Sequence, residues 1–159
     1  MMDSTQLRRA FASFPSGVTA VCTLVDAVPV GMVCSTFTGV SLDPALVSVC
    51  VQASSTTWPL LRRQSRLGLS VLAEDQDLAC RQLSRKSGDR FEGLRWENDA
   101  RGGVFLPGAV AWFSCSLYEE MPAGDHAIAL LEIHDLRSVA SGAPLVFHGS
   151  RFRRLEAIA

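Results

Sequence analysis

Leu7, Phe11 and Phe14 recur at helical spacing, with Asp3, Ser4 or Thr5 available to cap the start and Pro15-Ser16-Gly17 to stop the helix. From Val18 to Leu24, Val, Ala and Cys alternate with Thr as in a strand. Asp26-Ala27 makes a turn, and Val28 to Ser35 returns as a second strand with Gly31 inside it. Leu42-Asp43-Pro44 bends the chain. Ala45 to Val51 is apolar at nearly every position, the pattern of a strand covered on both faces. Pro59 in Trp58-Pro59-Leu60-Leu61 marks a helix start. Leu67 to Leu72 reads as a strand, and Asp75 as the cap of a helix carrying Leu78 and Leu83. Ser87 to Gly103 is mostly loop, with Phe91 and Trp96 as isolated aromatics. Ala109–Leu117, His126–Val139 and Leu145–Phe152 supply further strand-like runs. The pattern predicts about six to eight short strands, one helix at the front and two short helices between strands. An antiparallel β-barrel with helices outside fits it best. A doubly wound parallel sheet does not, because the first strand-turn-strand unit has no room for a crossover helix.

Composition narrows the class. The 159 residues predict one domain spanning 1–159. With 19% charged residues and a mean hydropathy of +0.20, the chain does not read as disordered. No apolar run approaches the ~18–20 residues that cross a bilayer, so no membrane partner is expected. A net charge of −1 lacks the basic footprint of a nucleic-acid binder. The first residues carry no secretory pattern. None of the five cysteines (Cys22, Cys34, Cys50, Cys80, Cys115) forms a C-x-x-C pair, and a reduced, cytoplasmic protein is expected. Lys86 is the only lysine among the 15 basic residues. The arginine excess fits either forks for phosphate and carboxylate or a codon bias, and composition alone favours the latter.

Phosphate-loop, dinucleotide-fingerprint, zincin and nucleophile-elbow motifs are absent. Of the histidines, His126 and His134 lie eight apart in one predicted strand, but no spacing supplies a third ligand, so no metal is expected. Ser54-Ser55-Thr56-Thr57 places four hydroxyls where a buried strand ends and a helix begins. Two readings fit: N-capping by Thr56 or Thr57, which the cluster alone favours, or a cradle for a phosphate monoester. Gly124-Asp125-His126 opens a strand, and His148-Gly149-Ser150-Arg151-Phe152 forms a hairpin turn. Taken singly, each is an ordinary turn.

Their order is more specific. Leu7-Arg8-Arg9-Ala10-Phe11 and Phe14-Pro15-Ser16-Gly17-Val18-Thr19-Ala20-Val21 resemble the opening of the flavin reductase-like family, the small reductase components of two-component flavin-dependent monooxygenases. The segment from Pro29 to Pro44 resembles that family's flavin-binding stretch almost residue for residue. Ser54 to Trp58, Asp89-Arg90-Phe91-Glu92-Gly93-Leu94, Gly124-Asp125-His126 and His148 to Phe152 are similar to later motifs in the same order. The likeness runs from roughly Leu7 to Leu155.

The resemblance implies a split antiparallel β-barrel (the FMN-binding split barrel), usually a homodimer. It implies reduction of FMN or FAD by NADH or NADPH, and release of the reduced flavin by diffusion to a partner oxygenase. By position, Val33, Cys34, Ser35, Thr36 and Phe37 would line the isoalloxazine, and Gly39 and Val40 would let the chain approach it. Ser54, Ser55 and Thr56 would hold the phosphate, which turns the reading of that cluster away from capping. Arg90 and Phe91 would close near the flavin. His126 would meet the nicotinamide, and His148, Gly149, Ser150, Arg151 and Phe152 would contact NAD(P)H. Hydride transfer between two bound rings needs no protein nucleophile or metal, in keeping with the missing motifs. Val33, Cys34, Gly39 and Ala45 depart from the common pattern of Thr, a non-thiol residue, Ser and a second Pro. Two alternatives are a flavin carrier without reductase activity and a haem-binding barrel with His126 or His148 as axial ligand.

Overall fold

The computed structural model describes residues 1–159. In chain order the elements are α1 (Ser4–Ala12), β1 (Ser16–Gly17), β2 (Thr19–Val25), β3 (Val28–Cys34), β4 (Thr38–Leu42), β5 (Ala45–Gln52), α2 (Trp58–Leu61), β6 (Leu67–Val71), α3 (Asp77–Leu83), β7 (Glu97–Asn98), β8 (Val104–Phe105), β9 (Ala111–Ala123), β10 (His126–Ser138), β11 (Val146–His148) and β12 (Arg151–Arg153). Seven strands form one antiparallel sheet in the order β3-β2-β6-β9-β10-β5-β4. The sheet curls until the end of β3 comes back against β5. There the Thr36 hydroxyl accepts from the Cys50 N–H (2.8 Å) and donates to the Cys50 carbonyl (3.2 Å). Side-chain bonds replace backbone pairing at this seam, so the barrel is split.

The predicted mainly β, antiparallel architecture is the observed one, and the first hairpin shows why it was readable. Val25 pairs with Val28 across a two-residue turn. Asp26 and Ala27 both take positive φ (50° and 65°), the twist that suits a tight hairpin. The longest hairpin, β9–β10, turns at Gly124-Asp125 with Gly124 at φ 66°. Two apolar clusters fill the interior. One lies inside the curled sheet around Val21, Val47, Val49, Leu61, Leu69 and Leu131. The other lies beneath α3 and the segment 89–106, around Ala20, Leu72, Leu83, Phe91 and Val104.

Some expectations need correction. Twelve strands are present rather than six to eight: β1, β7 and β8 span only two residues each, and the run expected at Leu145–Phe152 is two three-residue strands, β11 and β12. Periodicity cannot register such pieces. β4 was not anticipated: it is an outer edge strand with only Ser41 half-covered, so it carries little alternation. α3 starts at Asp77 after Gln76, not after Asp75, and Leu78 faces solvent at 74% exposure while Cys80 and Leu83 enter the core. In β5 one face is fully buried through Val47, Val49 and Val51, but Ser48 and Cys50 on the other are only half-covered. That second face borders the cleft described next. α1 is capped by Asp3, whose carboxylate accepts from the Thr5 N–H, yet it buries no residue. Phe11 and Phe14 stand 70% and 78% exposed, an apolar face without a partner in the monomer.

Candidate functional site

The seam between β3 and β5 opens into a cleft of about 550 Å³. One wall is the end of β3 and its exit, from Met32 to Thr36, and the end of β5, from Cys50 to Gln52. The hydroxyl run Ser54 to Thr57, which follows β5, also lines it. Leu83, Ser84, Lys86 and Arg90 close one side, and His126, where β10 begins, closes another. The lining holds Lys86 and Arg90 but neither Asp nor Glu, so it favours an anionic ligand.

Local folding explains how the hydroxyls are arranged. Thr57 stands at the N-cap position of α2 but makes no side-chain cap bond, and the Trp58 N–H donates instead to Ser55 Oγ (3.1 Å). The Trp58 indole N–H donates to Glu120 on β9 (2.9 Å), whose other oxygen accepts from Arg62 Nε at 2.9 Å. That pair pins the short helix to the sheet. The Thr57 hydroxyl accepts from Arg90 Nη1 (3.0 Å), which also donates to the Gly31 carbonyl (3.0 Å). Arg90 Nε donates to the Arg85 carbonyl (2.6 Å). One guanidinium thus ties the loop after α3 to β3 and to the hydroxyl run.

His126 Nδ1 lies 2.7 Å from Asp125 Oδ1. The hydrogen bond from His126, and then its charge, hold the Asp125 carboxyl below the usual carboxylate range. A lowered carboxylate pKa means that this pairing contributes above the ordinary Asp pKa and is lost as pH falls through the depressed value. With the Asp125 carboxylate as acceptor, Nδ1 is the donating ring nitrogen in this contact, and Nε2 is left as the ring's second site. Burial pushes the Cys34 thiol up to about 12, so at the cleft wall it is a small apolar group rather than a thiolate.

Of the residues expected at the site, Val33, Cys34, Ser35, Thr36, Ser54, Ser55, Thr56, Arg90 and His126 line this one cleft. Phe152 lines a second cavity of about 390 Å³ with Phe147 and Arg81; it shares Val33, Cys34, Ser35 and Ser84 with the first. Arg81 sits 5.1 Å above the Phe152 ring. The other residues lie elsewhere in the monomer. Phe37 stacks on Phe113 with centroids 5.6 Å apart and packs against the inner cluster. Gly39 and Val40 lie on the outer edge strand β4, exposed. Phe91 is buried in the core beneath Gly31. His148, Gly149, Ser150 and Arg151 form the β11–β12 turn, whose Gly149 N–H donates to the Ala12 carbonyl at the end of α1 (2.9 Å). Lys86, Thr57, Cys50 and Gln52 were missed. For Lys86 a signal existed, its being the only lysine in the chain.

A family model described as "Flavin reductase like domain" matches residues 11–156. The chain belongs to this family. Among curated relatives of the flavin reductase-like chain, a flavin-dependent monooxygenase reductase subunit from Rhodococcus jostii is 32% identical over 98% of this chain and 80% of its own length. The actinorhodin polyketide dimerase of Streptomyces coelicolor is 40% identical over 96% of this chain and 87% of its own. Among solved structures, a Streptomyces globisporus NADH:FAD oxidoreductase in complex with NAD and FAD fragments matches at a TM-score of 0.91. Its identity is 35%, with 97% of this chain and 93% of that chain covered.

Proposed function

We infer that the protein is an NAD(P)H-dependent flavin reductase that passes reduced FMN or FAD to a partner monooxygenase. The observation that carries this reading is the seam cleft, a hydroxyl-rimmed channel with two cations and no carboxylate in a chain of the flavin reductase-like family. It suits a nucleotide. Relatives described as a monooxygenase reductase subunit and as an NADH:FAD oxidoreductase support the donor, the acceptor and the partner class.

Bound flavin supplies the hydride acceptor. The chain binds, orients and shields. Val33 and Cys34 give the cleft an apolar wall, and the hydroxyls of Ser35, Ser54 and Thr56 offer hydrogen bonds along its rim. Asp125 fixes the His126 ring, so this imidazole orients a nicotinamide group rather than acting as an obligatory proton donor. No acid–base pair is needed for a direct hydride transfer, only two reactants held in register.

Oxidation of NADH and NADPH with FMN, FAD and riboflavin in turn tests the activity; a protein that quenches flavin fluorescence yet oxidises neither donor is a carrier instead. A Soret band in the purified protein would mark the haem alternative. His126→Ala is expected to raise KM for NADH about 2- to 10-fold, the worth of one hydrogen bond, with little change in flavin affinity. An unchanged KM would remove that role.

The exposed Phe11 on α1, Phe14 just after it, and Val40 and Leu42 on β4 support a homodimer that covers these apolar faces. Sedimentation is expected to give twice the chain mass, and Phe11→Glu with Phe14→Glu to give the monomer. A wild-type monomer at micromolar concentration would contradict this.

A further inference from the structure

We propose that Lys86 reads the phosphate of the flavin nucleotide and sets the preference for FMN or FAD over riboflavin. The inference rests on the reductase reading and names the group that discriminates at the same cleft.

Few of the groups lining the cleft carry a charge free to meet a ligand. α2 is a single turn, Trp58–Leu61, too short for an appreciable end charge. The Ser55 hydroxyl accepts from the Trp58 N–H and the Thr57 hydroxyl from Arg90, so each keeps an O–H to donate but supplies no charge to balance a phosphate. Thr36 is engaged twice by Cys50. Arg90 already has Nε on Arg85 and Nη1 on both Gly31 and Thr57. Its charge is fixed in the scaffold as a latch, with less freedom to follow a ligand.

Lys86 differs on each count. It is exposed, lies on the cleft lining and takes part in none of the ion pairs, which join Arg62 to Glu120, His126 to Asp125 and Arg154 to Glu74. The Arg90 bond to the Arg85 carbonyl holds the residue immediately before it, so the ammonium is presented from an anchored loop. Ser54 and Thr56 on the same lining add hydroxyls. A mobile point charge sharing a lining with hydroxyl donors and no carboxylate is a site for a phosphate dianion. The cleft's apolar wall takes the ring portion of riboflavin without Lys86.

Two sources of phosphate meet at this cleft, the flavin nucleotide and the nicotinamide nucleotide. Fluorescence-quenching titrations of wild type, Lys86→Gln and Lys86→Arg with FMN and with riboflavin, without nicotinamide, separate them. The expected result is an FMN Kd about 10-fold or more higher in Lys86→Gln, an unchanged riboflavin Kd, and recovery to within about threefold in Lys86→Arg. The salt dependence of FMN binding should also fall in Lys86→Gln. Unchanged FMN binding, or an equal loss for riboflavin, overturns the proposal. So does an effect confined to KM for NADH with riboflavin as acceptor, which would give the ammonium to the nicotinamide nucleotide. Wild type that binds neither flavin overturns the reductase reading as well.

Discussion

Gly68→Ala is expected to destabilise the protein by at least about 3 kcal/mol, lowering Tm by roughly 6–12 °C or abolishing soluble expression. Gly68 sits in β6, paired with Cys22 of β2 on one side and Ser114 of β9 on the other, so its backbone cannot retreat within the sheet. A methyl group there would lie 2.7 Å from both the carbonyl carbon and the amide nitrogen of Val104, and closer still to the carbonyl oxygen. These are backbone atoms of β8, where the chain crosses the sheet, and Val104 is fully buried. Polar bonds lock the crossing. The Thr23 hydroxyl bridges the Arg66 and Gly102 carbonyls at 2.7 and 3.1 Å. The Leu106 N–H donates to Ser70 Oγ at 3.0 Å, and Ser114 Oγ donates to Asp99 at 2.8 Å. Moving Val104 would break bonds that satisfy buried hydroxyls, which are costly to leave unpaired. Gly39→Ala is the control: no atom lies within 4 Å of the added methyl, and its stability should stay within about 0.5 kcal/mol of wild type. Thermal melts of the two variants decide the matter. A Gly68→Ala melt within 2–3 °C of wild type would show that the crossing is looser than its geometry.

The same crossing shows what a sequence conceals. β2, β3, β5, β6 and β10 were legible because each is long enough to show its hydrophobic period, and because Asp26-Ala27 and Gly124-Asp125 mark the turns between neighbours. Gly68 looks like a weak spot in a strand, since only the three-dimensional path of residues 99–106 gives it a neighbour. The order of motifs located the cleft walls, Val33 to Thr36 and Ser54 to Thr56. It did not reveal which hydroxyls already had partners. That Ser55, not the N-cap residue Thr57, takes the Trp58 N–H depends on where α2 begins, and such a boundary shifts easily by a residue or two. Phe11 and Phe14 have core-like spacing yet remain exposed, because periodicity marks an apolar face without saying what covers it. The family resemblance implies Arg90 beside the flavin. Its acceptors are two backbone carbonyls and one hydroxyl, and no residue type in the sequence advertises a carbonyl.

Those acceptors give the second large effect. Arg90→Ala is expected to weaken FMN and riboflavin alike, each by about 10- to 100-fold, and to cost roughly 2 kcal/mol of stability. The guanidinium joins the Arg85 carbonyl, the Gly31 carbonyl and the Thr57 hydroxyl, three points from separate parts of the chain that surround the cleft. Without it the loop bearing Lys86 is no longer latched to β3, and the hydroxyl run loses its tie to that loop. Binding must then order both segments, and that entropic penalty falls on any ligand that needs the cleft formed, with or without a phosphate. Arg90→Lys should rescue little: an ammonium on a shorter stem cannot span acceptors that the planar fork reaches from two different nitrogens. The contrast with Lys86→Gln is what makes the assignment testable. Loss of a point charge penalises FMN and spares riboflavin, whereas loss of the latch penalises both. Parallel titrations with the two flavins therefore separate a residue that reads the ligand from one that builds the cleft. An Arg90→Ala protein that lost FMN but kept riboflavin would place Arg90 on the phosphate itself.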